Sequence, residues 1–311
     1  MKILVSGSHG LVGKALINSL TADGHDILRL VRNKPSSAAE VEWKPNQARL
    51  DAANLEALDA VVHLAGESIA SGRWSDEKKR TIRDSRVKGT SLLSETLARL
   101  AQPPSVFVSA SAIGYYGNRG DELLTEDSAA GDDFLANVCV EWENATIPAI
   151  EKGIRTVHAR FGIILDAHEG ALAKMLTPFR MGVGGRIGNG KQWMSWIAID
   201  DVVNGLKFVI SDNAIRGPVN FVAPNPVTNA EFTKTLGRVL SKPTLFPVPE
   251  FGVRLAFGEM GEALLLSSQR VKPGVLKQFD WPTIDAALRH LLNADKRADK
   301  DADQRLNSGS A

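Results

Sequence analysis

The chain has 311 residues, 43% of them hydrophobic and 23% charged, which suits one large globular unit or a core domain with a smaller addition. Basic residues number 37 and acidic residues 36, so the near-neutral charge argues against a nucleic-acid partner or an anionic membrane surface. A single cysteine excludes an internal disulfide framework, and six dispersed histidines predict no metal site. We expect a soluble, cytoplasmic protein without a membrane segment, because no apolar stretch approaches the roughly 18 residues that span a bilayer.

In chain order, the first half alternates buried strand-like runs with helical runs. The predicted strands are Ile3–Ser6, Asp26–Val31, Ala60–Leu64, Ser105–Ser109 and Thr156–Phe161, and the predicted helices are Leu11–Asp23, Lys78–Leu100 and Phe134–Lys152. Short β-rich runs joined by long helical ones predict right-handed βαβ crossovers. The fold class is therefore α/β, a Rossmann-type doubly wound parallel sheet that binds its ligands at the carboxyl ends of the strands.

The second half of the chain does not continue this alternation of strands and helices. Residues 182–190 contain five glycines and predict a loop, residues 193–210 return to a strand-plus-helix pattern, and 218–222 predict one more strand. We predict a dinucleotide-binding core at 1–165, to which 193–223 return. A smaller, mainly helical C-terminal lobe takes 166–192 and 224–294, and the charged, then Ser/Gly-rich segment 295–311 is expected to be a disordered tail.

A glycine-rich turn follows the first predicted strand and opens the first predicted helix. Its glycines are Gly7, Gly10 and Gly13, and the residues between and beside them are Ser8, His9, Leu11 and Val12. Glycine at these places allows a sharp turn, close approach of the backbone to a pyrophosphate, and tight packing of helix on strand. The helix N-terminus adds unpaired N–H groups and a partial positive charge. This context favours a dinucleotide-binding loop over a purely structural turn.

The end of the second strand predicts which dinucleotide is bound. An acidic residue about 20 positions past the glycines would bind the ribose 2′-hydroxyl of NAD. Here that region contains Arg32, followed by Lys34, and no carboxylate. A guanidinium suits the 2′-phosphate of NADP, so NADP is favoured and NAD is less favoured. The alternative is that Arg32 is a solvated arginine at a strand end.

Further motifs along nearly the whole chain carry a resemblance to a known family. They are the glycine loop, His63–Glu67, Ile82–Arg86, Ser109–Gly117, Cys139–Glu143, Gln192–Ile197 and Ser268–Pro273. With these motifs the sequence resembles the extended short-chain dehydrogenase/reductases. More narrowly, it is similar to an atypical epimerase-like family that has a distinctive C-terminal domain of unknown function. The resemblance implies an NADP-dependent oxidoreductase or epimerase-like activity on a small-molecule substrate.

The resemblance also implies roles for single residues. Leu64, Ala65 and Gly66 would run beside the cofactor, Ser111 would hydrogen-bond the reacting oxygen of the substrate, and Arg160 would begin the strand end that flanks the nicotinamide. A structural alternative stays open for each of them. Ala65 and Gly66 would then only pack closely, and Ser111 would only satisfy a backbone group.

The proton donor that the superfamily uses is missing. Hydride transfer to a carbonyl needs a donor within hydrogen-bond reach, and the superfamily supplies it as Tyr-x-x-x-Lys. The only two tyrosines, Tyr115 and Tyr116, are followed four positions later by Arg119 and Gly120, so the motif is absent. Its expected position holds Cys139 and Glu143 instead. Tyr115, Tyr116 and Cys139 remain candidate donors, although a cysteine on an amphipathic helix is more often a core residue.

The glycine-rich loop leads into a second candidate region, which we assign to the substrate. It contains Gln192, Trp193 and Trp196, whose rings and amide would stack on and hydrogen-bond a sugar or other ring, and we add Glu67 from the His63–Glu67 motif. Tryptophans are core residues more often than ligands, so a packing role for Trp193 and Trp196 stays open beside the substrate role.

Two hypotheses of different classes follow. The first is an NADP-binding, epimerase-like oxidoreductase with a non-standard catalytic pair, acting on a small or nucleotide-sugar-like substrate. The second is a dinucleotide-binding sensor or scaffold that has lost turnover. A partner-binding role for 257–266 in the C-terminal lobe is a further alternative to simple core packing, and a homodimer is left open.

Overall fold

A computed structural model describes residues 1–293 of the chain, so the predicted tail at 295–311 lies outside the described residues. Its centre is an eight-stranded sheet in the order β12 (Gly217–Phe221), β8 (Arg155–Phe161), β6 (Val106–Ala112), β5 (Ala60–His63), β1 (Lys2–Ser6), β2 (Asp26–Val31), β3 (Glu40–Lys44) and β4 (Arg49–Leu50). All neighbours are parallel except β3 and β4, which pair antiparallel at one edge. Strand order reverses between β1 and β5, and this reversal is the crevice where doubly wound sheets bind ligands.

Short two-stranded sheets are formed by β7 (Leu123–Leu124) with β14 (Arg270–Val271), β9 (Ile163–Leu165) with β11 (Trp196–Ala198), and β10 (Trp193–Met194) with β13 (Val227–Thr228).

The helices are α1 (Leu11–Ala22), α2 (Asp76–Arg99), α3 (Phe134–Asn144), α4 (Ile147–Glu151), α5 (Gly170–Arg180), α6 (Ile199–Ser211), α7 (Asn229–Leu240), α8 (Glu250–Phe257) and α9 (Glu259–Gly261). A π-helical turn covers Glu262–Leu266, and residues 284–293 are helical at the end of the described chain. No helix within residues 1–293 is long and apolar enough to cross a membrane.

The central strands are buried on both faces, which explains their continuous apolar sequence. In β1, Ile3 and Val5 pack into the core beneath α1 and α6, whereas Leu4 packs into a second core beneath α2. All three side chains are fully buried. A parallel strand covered by helices on both sides has no polar face, so alternation is lost and only the apolar run remains. The fold is the predicted Rossmann-type sheet with a smaller helical C-terminal region.

Three local predictions differ from the structure. The strand β3, next to the edge strand β4, was not predicted. Nor was α5, in the segment where the alternation of strands and helices was expected to end. The single helix predicted over 134–152 is two helices, interrupted before Ile147. Pro148 explains the interruption, because its ring and missing N–H are tolerated in the first turn of α4 but not inside a longer helix.

The C-terminal region contacts the start of α2 and the loop that precedes it. Arg73 donates to the carbonyl oxygens of Leu255 and Ala256 at the end of α8, and Lys79 Nζ lies 2.5 Å from Glu259 Oε2. The strand β12, from the segment predicted to return to the core, completes the main sheet beside β8. The division into two lobes at residue 165 stays a prediction.

Candidate functional site

The glycine loop between β1 and α1 is packed so tightly that two of its glycines have no room for a side chain. A Cβ at Gly13 would lie 2.2 Å from the Gly7 carbonyl oxygen, and a Cβ at Gly7 would lie 2.7 Å from the carbonyl carbon of Leu64. Gly7 also has φ +70°, a conformation that favours glycine. At Gly10, a Cβ would meet within 4 Å only the Gly7 carbonyl oxygen, at 3.4 Å. The loop therefore packs closely on the protein side and is open at Gly10.

The N-terminus of α1 begins at Gly10, where the loop is open. Gly10 is the N-cap and supplies no side-chain cap, so no side chain satisfies the first-turn N–H groups, those of Leu11, Val12 and Gly13. Ser8 is buried and His9 is exposed beside it, with Ser8 Oγ 3.3 Å from His9 Nδ1. Uncapped donors and the positive end of the helix dipole fit a phosphate group.

Arg32 follows β2 directly and lies at the same edge of the sheet as the glycine loop. In the parallel pair of β1 and β2, Ser6 is opposite Leu30, so Arg32 extends just beyond the end of β1. Its side chain is exposed and makes no hydrogen bond or ion pair within the described part of the chain. A free guanidinium at this edge fits the 2′-phosphate expected from the sequence.

A buried hydrogen-bond network beneath the loop was not predicted. Ser6 Oγ accepts from the backbone N–H groups of Leu64 (3.1 Å) and Ala65 (3.3 Å) and lies 2.6 Å from His63 Nδ1. Burial lowers the pKa of His63 to about 4, so its ring is neutral near pH 7. The network joins the ends of β1 and β5 and positions Leu64, Ala65 and Gly66 beside the glycine loop. The sequence signal was weak, since Ser6 and His63 look like ordinary strand-end residues.

Ser111, at the end of β6, is part of a buried charged cluster. Its hydroxyl donates to Glu143 Oε1 at 2.7 Å, and the same carboxylate accepts from Arg160 Nε (2.8 Å) and Nη2 (2.8 Å). The Arg160 and Glu143 side chains are only 4% and 10% exposed. Burial disfavours the guanidinium charge, but the hydrogen bonds and charge of Glu143 outweigh this and hold the pKa of Arg160 above its usual range. Arg160 is therefore bound within the protein.

The two tyrosines occupy different environments in the 3₁₀ turn Ile113–Tyr116. Tyr116 is fully buried, donates to Asn220 Oδ1 at 2.7 Å and accepts from Arg160 Nη1 at 3.0 Å. Burial raises the pKa of Tyr116, partly opposed by Arg160. Tyr115 is partly exposed, and the Arg160 guanidinium carbon lies 3.5 Å from its ring centroid. Within residues 1–293 the Tyr115 hydroxyl makes no hydrogen bond, so it is the tyrosine available to a ligand.

Cys139 lies on α3, one turn before Glu143, and is 4% exposed. Burial raises the pKa of its thiol to about 12, and the neighbouring Glu143 charge acts in the same direction. A thiol in this state is neither a ready proton donor nor a nucleophile at neutral pH. We therefore leave Cys139 out of the proposed chemistry and assign it to packing beneath Gly114.

The four residues predicted to contact the substrate, Glu67, Gln192, Trp193 and Trp196, have different environments in the structure. Trp196 is fully buried and donates from Nε1 to the Asn225 carbonyl, and Gln192 Nε2 donates to the carbonyls of Ile187 and Leu265. Both side chains organise the protein interior, so we leave them out of the proposed site. Trp193 is partly exposed and donates to Asp121 Oδ1, and Arg270 stacks 4.3 Å from its ring centroid. Glu67 accepts from Lys78 Nζ at 2.7 Å, at the start of α2.

The chain matches two family models. The model for the NAD dependent epimerase/dehydratase family matches residues 3–222, and a model for a domain of unknown function, DUF1731, matches residues 248–291. The first match spans the glycine loop, Arg32 and the cluster of Ser111, Glu143 and Arg160.

Individual proteins are similar over nearly the full length. An epimerase family protein of Mycobacterium bovis is 43% identical over 290 residues, covering 92% of this chain and 96% of that relative. Epimerase family protein SDR39U1 of Homo sapiens is 36% identical over 300 residues, covering 94% of this chain and 100% of the human protein. A crystal structure of human SDR39U1 (isoform2) with NADPH superposes with a TM-score of 0.87 and 34% identity, covering 94% of this chain and 99% of that one. The chain belongs to the NAD dependent epimerase/dehydratase family.

Proposed function

We propose that the protein is an NADP-binding, epimerase-like oxidoreductase that acts on a small or nucleotide-sugar-like substrate through a non-standard catalytic group. The observation that carries the cofactor assignment is the open glycine loop with the uncapped N-terminus of α1 on one side and the unpaired Arg32 on the other. The NADPH named with the human relative's structure supports NADP over NAD. When bound, the nicotinamide would supply or accept a hydride.

The backbone of Gly7 to Gly13 would hold the pyrophosphate, and Arg32 would hold the 2′-phosphate. Leu64, Ala65 and Gly66, positioned by Ser6, would border the middle of the dinucleotide. In the same proposal, the core at 1–165 and 193–223 would hold the cofactor, and the C-terminal lobe at 166–192 and 224–294 would cover the substrate.

Ser111 and Glu143 are the groups we propose for proton transfer. Ser111 already donates its proton to Glu143, so its oxygen is free to accept the proton of a substrate hydroxyl. In the direction of alcohol oxidation, the substrate proton passes to Ser111 and the Ser111 proton passes to Glu143. Arg160 positions Glu143 through two hydrogen bonds and compensates its resting charge. This relay would replace the missing Tyr-x-x-x-Lys pair, with Tyr115 as the alternative donor.

Calorimetric titration with NADPH and NADH tests the cofactor assignment. We expect Arg32→Gln to weaken NADPH binding by about 10- to 100-fold, because charge-assisted hydrogen bonds are lost, and to leave NADH binding nearly unchanged. The matched control is Arg99→Gln, an arginine 65% exposed at the far end of α2. Equal affinity of wild type and Arg32→Gln for NADPH would contradict the NADP preference, and failure of the wild type to bind either nucleotide would refute the proposed function.

A sensor or scaffold is the second candidate, favoured by the burial of Ser111, Tyr116 and Cys139 and by the internal pairing of Glu143 and Arg160. Oxidation of NADPH across a panel of carbonyl compounds and nucleotide sugars separates the two. Turnover that is lost in Ser111→Ala, with NADPH affinity retained, supports the enzyme. Binding of NADPH without any turnover across the panel supports the sensor.

A further inference from the structure

Arg86, on α2, is a partly buried cation beside the proposed cofactor groove. A Cβ at Gly66 would lie 3.4 Å from its Cζ, so the glycine lets the guanidinium lie against the backbone that follows β5. On its other side, Arg86 Cζ lies 5.0 Å from the ring centroid of Trp142 on α3. The side chain is therefore held between the end of β5 and the helix that carries Cys139 and Glu143.

The charge of Arg86 is not neutralised by the protein. Its one side-chain hydrogen bond in the described part of the chain runs from Nη1 to the Ile82 carbonyl of its own helix, at 3.0 Å, and no carboxylate among residues 1–293 lies within ion-pair distance. Glu67 is paired with Lys78 instead. Burial lowers the pKa of Arg86, and the charge of Glu67 partly opposes this. A desolvated, unpaired guanidinium is costly, which indicates that a ligand supplies the missing partner.

A second unsatisfied donor lies next to it. Trp142 is 5% exposed, and its indole Nε1–H is buried without a hydrogen-bond partner within the described residues. Native proteins rarely leave such donors unpaired. The Arg86 guanidinium has only donors, so the ligand group that it fits is one whose oxygens accept hydrogen bonds.

The position of Arg86 narrows the class of ligand that it would bind. Arg86 borders Gly66, which under the proposed function lies beside the cofactor, and its charge acts on the Cys139 thiol, at the place where the resemblance puts the family's tyrosine. We propose that Arg86 binds a carboxylate of the substrate next to the reacting carbon, so that the substrate is a carboxylate-bearing alcohol or carbonyl compound. This assignment rests on the proposed function. A planar guanidinium matches a carboxylate in two-point geometry.

Calorimetric titration with oxalate, in the presence of saturating NADPH, tests the assignment. The variants are Arg86→Met, which removes the charge, and Arg86→Lys, which keeps it. The matched control is Arg83→Met, one turn earlier on α2, whose arginine is 44% exposed and paired with Asp84 and Glu141. We expect oxalate affinity to fall about tenfold or more in Arg86→Met, less in Arg86→Lys, and not at all in Arg83→Met. The melting temperature of Arg86→Met should be unchanged or higher, because an unpaired buried charge is removed.

Three outcomes overturn the assignment. In the first, oxalate binds Arg86→Met as tightly as it binds the wild type. In the second, oxalate does not bind the wild type. In the third, oxalate competes with NADPH, and Arg86→Met weakens NADPH binding by the same factor as oxalate binding. The last outcome assigns Arg86 to a cofactor phosphate. If wild type fails to bind NADPH, the proposed function is refuted, whereas oxalate titration of the protein alone still decides the role of Arg86.

Discussion

The buried pair of Glu143 and Arg160 makes the sharpest stability prediction. Glu143→Gln keeps one acceptor oxygen but removes the charge and places an amide NH₂ group against the guanidinium. Breaking one side of a buried ion pair costs about 3–5 kcal/mol, because the remaining charge is left without compensation. Arg160 keeps its bond to the Tyr116 hydroxyl, 3.0 Å away, which relieves part of that cost. We therefore expect the free energy of unfolding to fall by about 3 kcal/mol.

Equilibrium urea unfolding followed by tryptophan fluorescence measures this change, since the chain has six tryptophans. The matched control is Glu141→Gln, two residues earlier on α3. Glu141 pairs with Arg83 at the surface, with the two side chains 41% and 44% exposed, so its loss should cost at most about 1 kcal/mol. The reasoning fails if Glu143→Gln destabilises the protein no more than Glu141→Gln. Arg160→Met combined with Glu143→Gln should be less destabilising than the sum of the single changes.

Three further predictions concern the cofactor loop and two buried titratable groups. Gly13→Ala should abolish NADPH binding while keeping the circular dichroism of the fold, because its Cβ would lie 2.2 Å from the Gly7 carbonyl oxygen, and retained affinity would contradict this packing argument. The Cys139 thiol, with a pKa raised to about 12, should react with a disulfide reagent at pH 8 much more slowly in the native protein than in urea. His63, with a pKa lowered to about 4, takes up its proton in the unfolded chain first, so stability should be intact above pH 6.5 and fall by about 3 kcal/mol as the pH drops to 4. Thermal unfolding across that range and an NMR titration of the His63 ring check it, and protonation near pH 6.5 would contradict it.

Several parts of the fold were predictable because their causes are local in the chain. The strand β2 has the predicted bounds, Asp26–Val31, since an apolar run followed by polar residues ends where burial ends. The break between α3 and α4 was also predictable in principle, because a proline in the middle of a helix removes a hydrogen bond and clashes with the preceding turn. The strand β3 was missed although its sequence alternates, with Val41 and Trp43 buried between partly exposed neighbours, because a five-residue strand gives a weak signal.

The candidate site also contains residues that the sequence predicted and residues that it did not. The glycine loop and Arg32 lie within one βαβ segment, so their spacing alone indicated a dinucleotide and a preference for NADP. The network of Ser6 and His63 and the unpaired Arg86 were missed, because pairing and burial of a side chain depend on elements far away in sequence. The same holds for Trp196, whose aromatic ring suggested a ligand contact and whose full burial assigns it to packing.

The sequence by itself determined that this protein has a Rossmann-type fold and that it lacks Tyr-x-x-x-Lys. Glycine spacing and the presence of a residue type are properties of the chain alone. Only the tertiary structure decided which side chains meet at the carboxyl end of β6. Ser111 meets Glu143 across 32 positions, and Glu143 meets Arg160 across 17, through neighbouring strands and the helix between them. The energy of a buried charge depends on the groups that surround it in space, and a parallel sheet brings those groups together from distant parts of the chain.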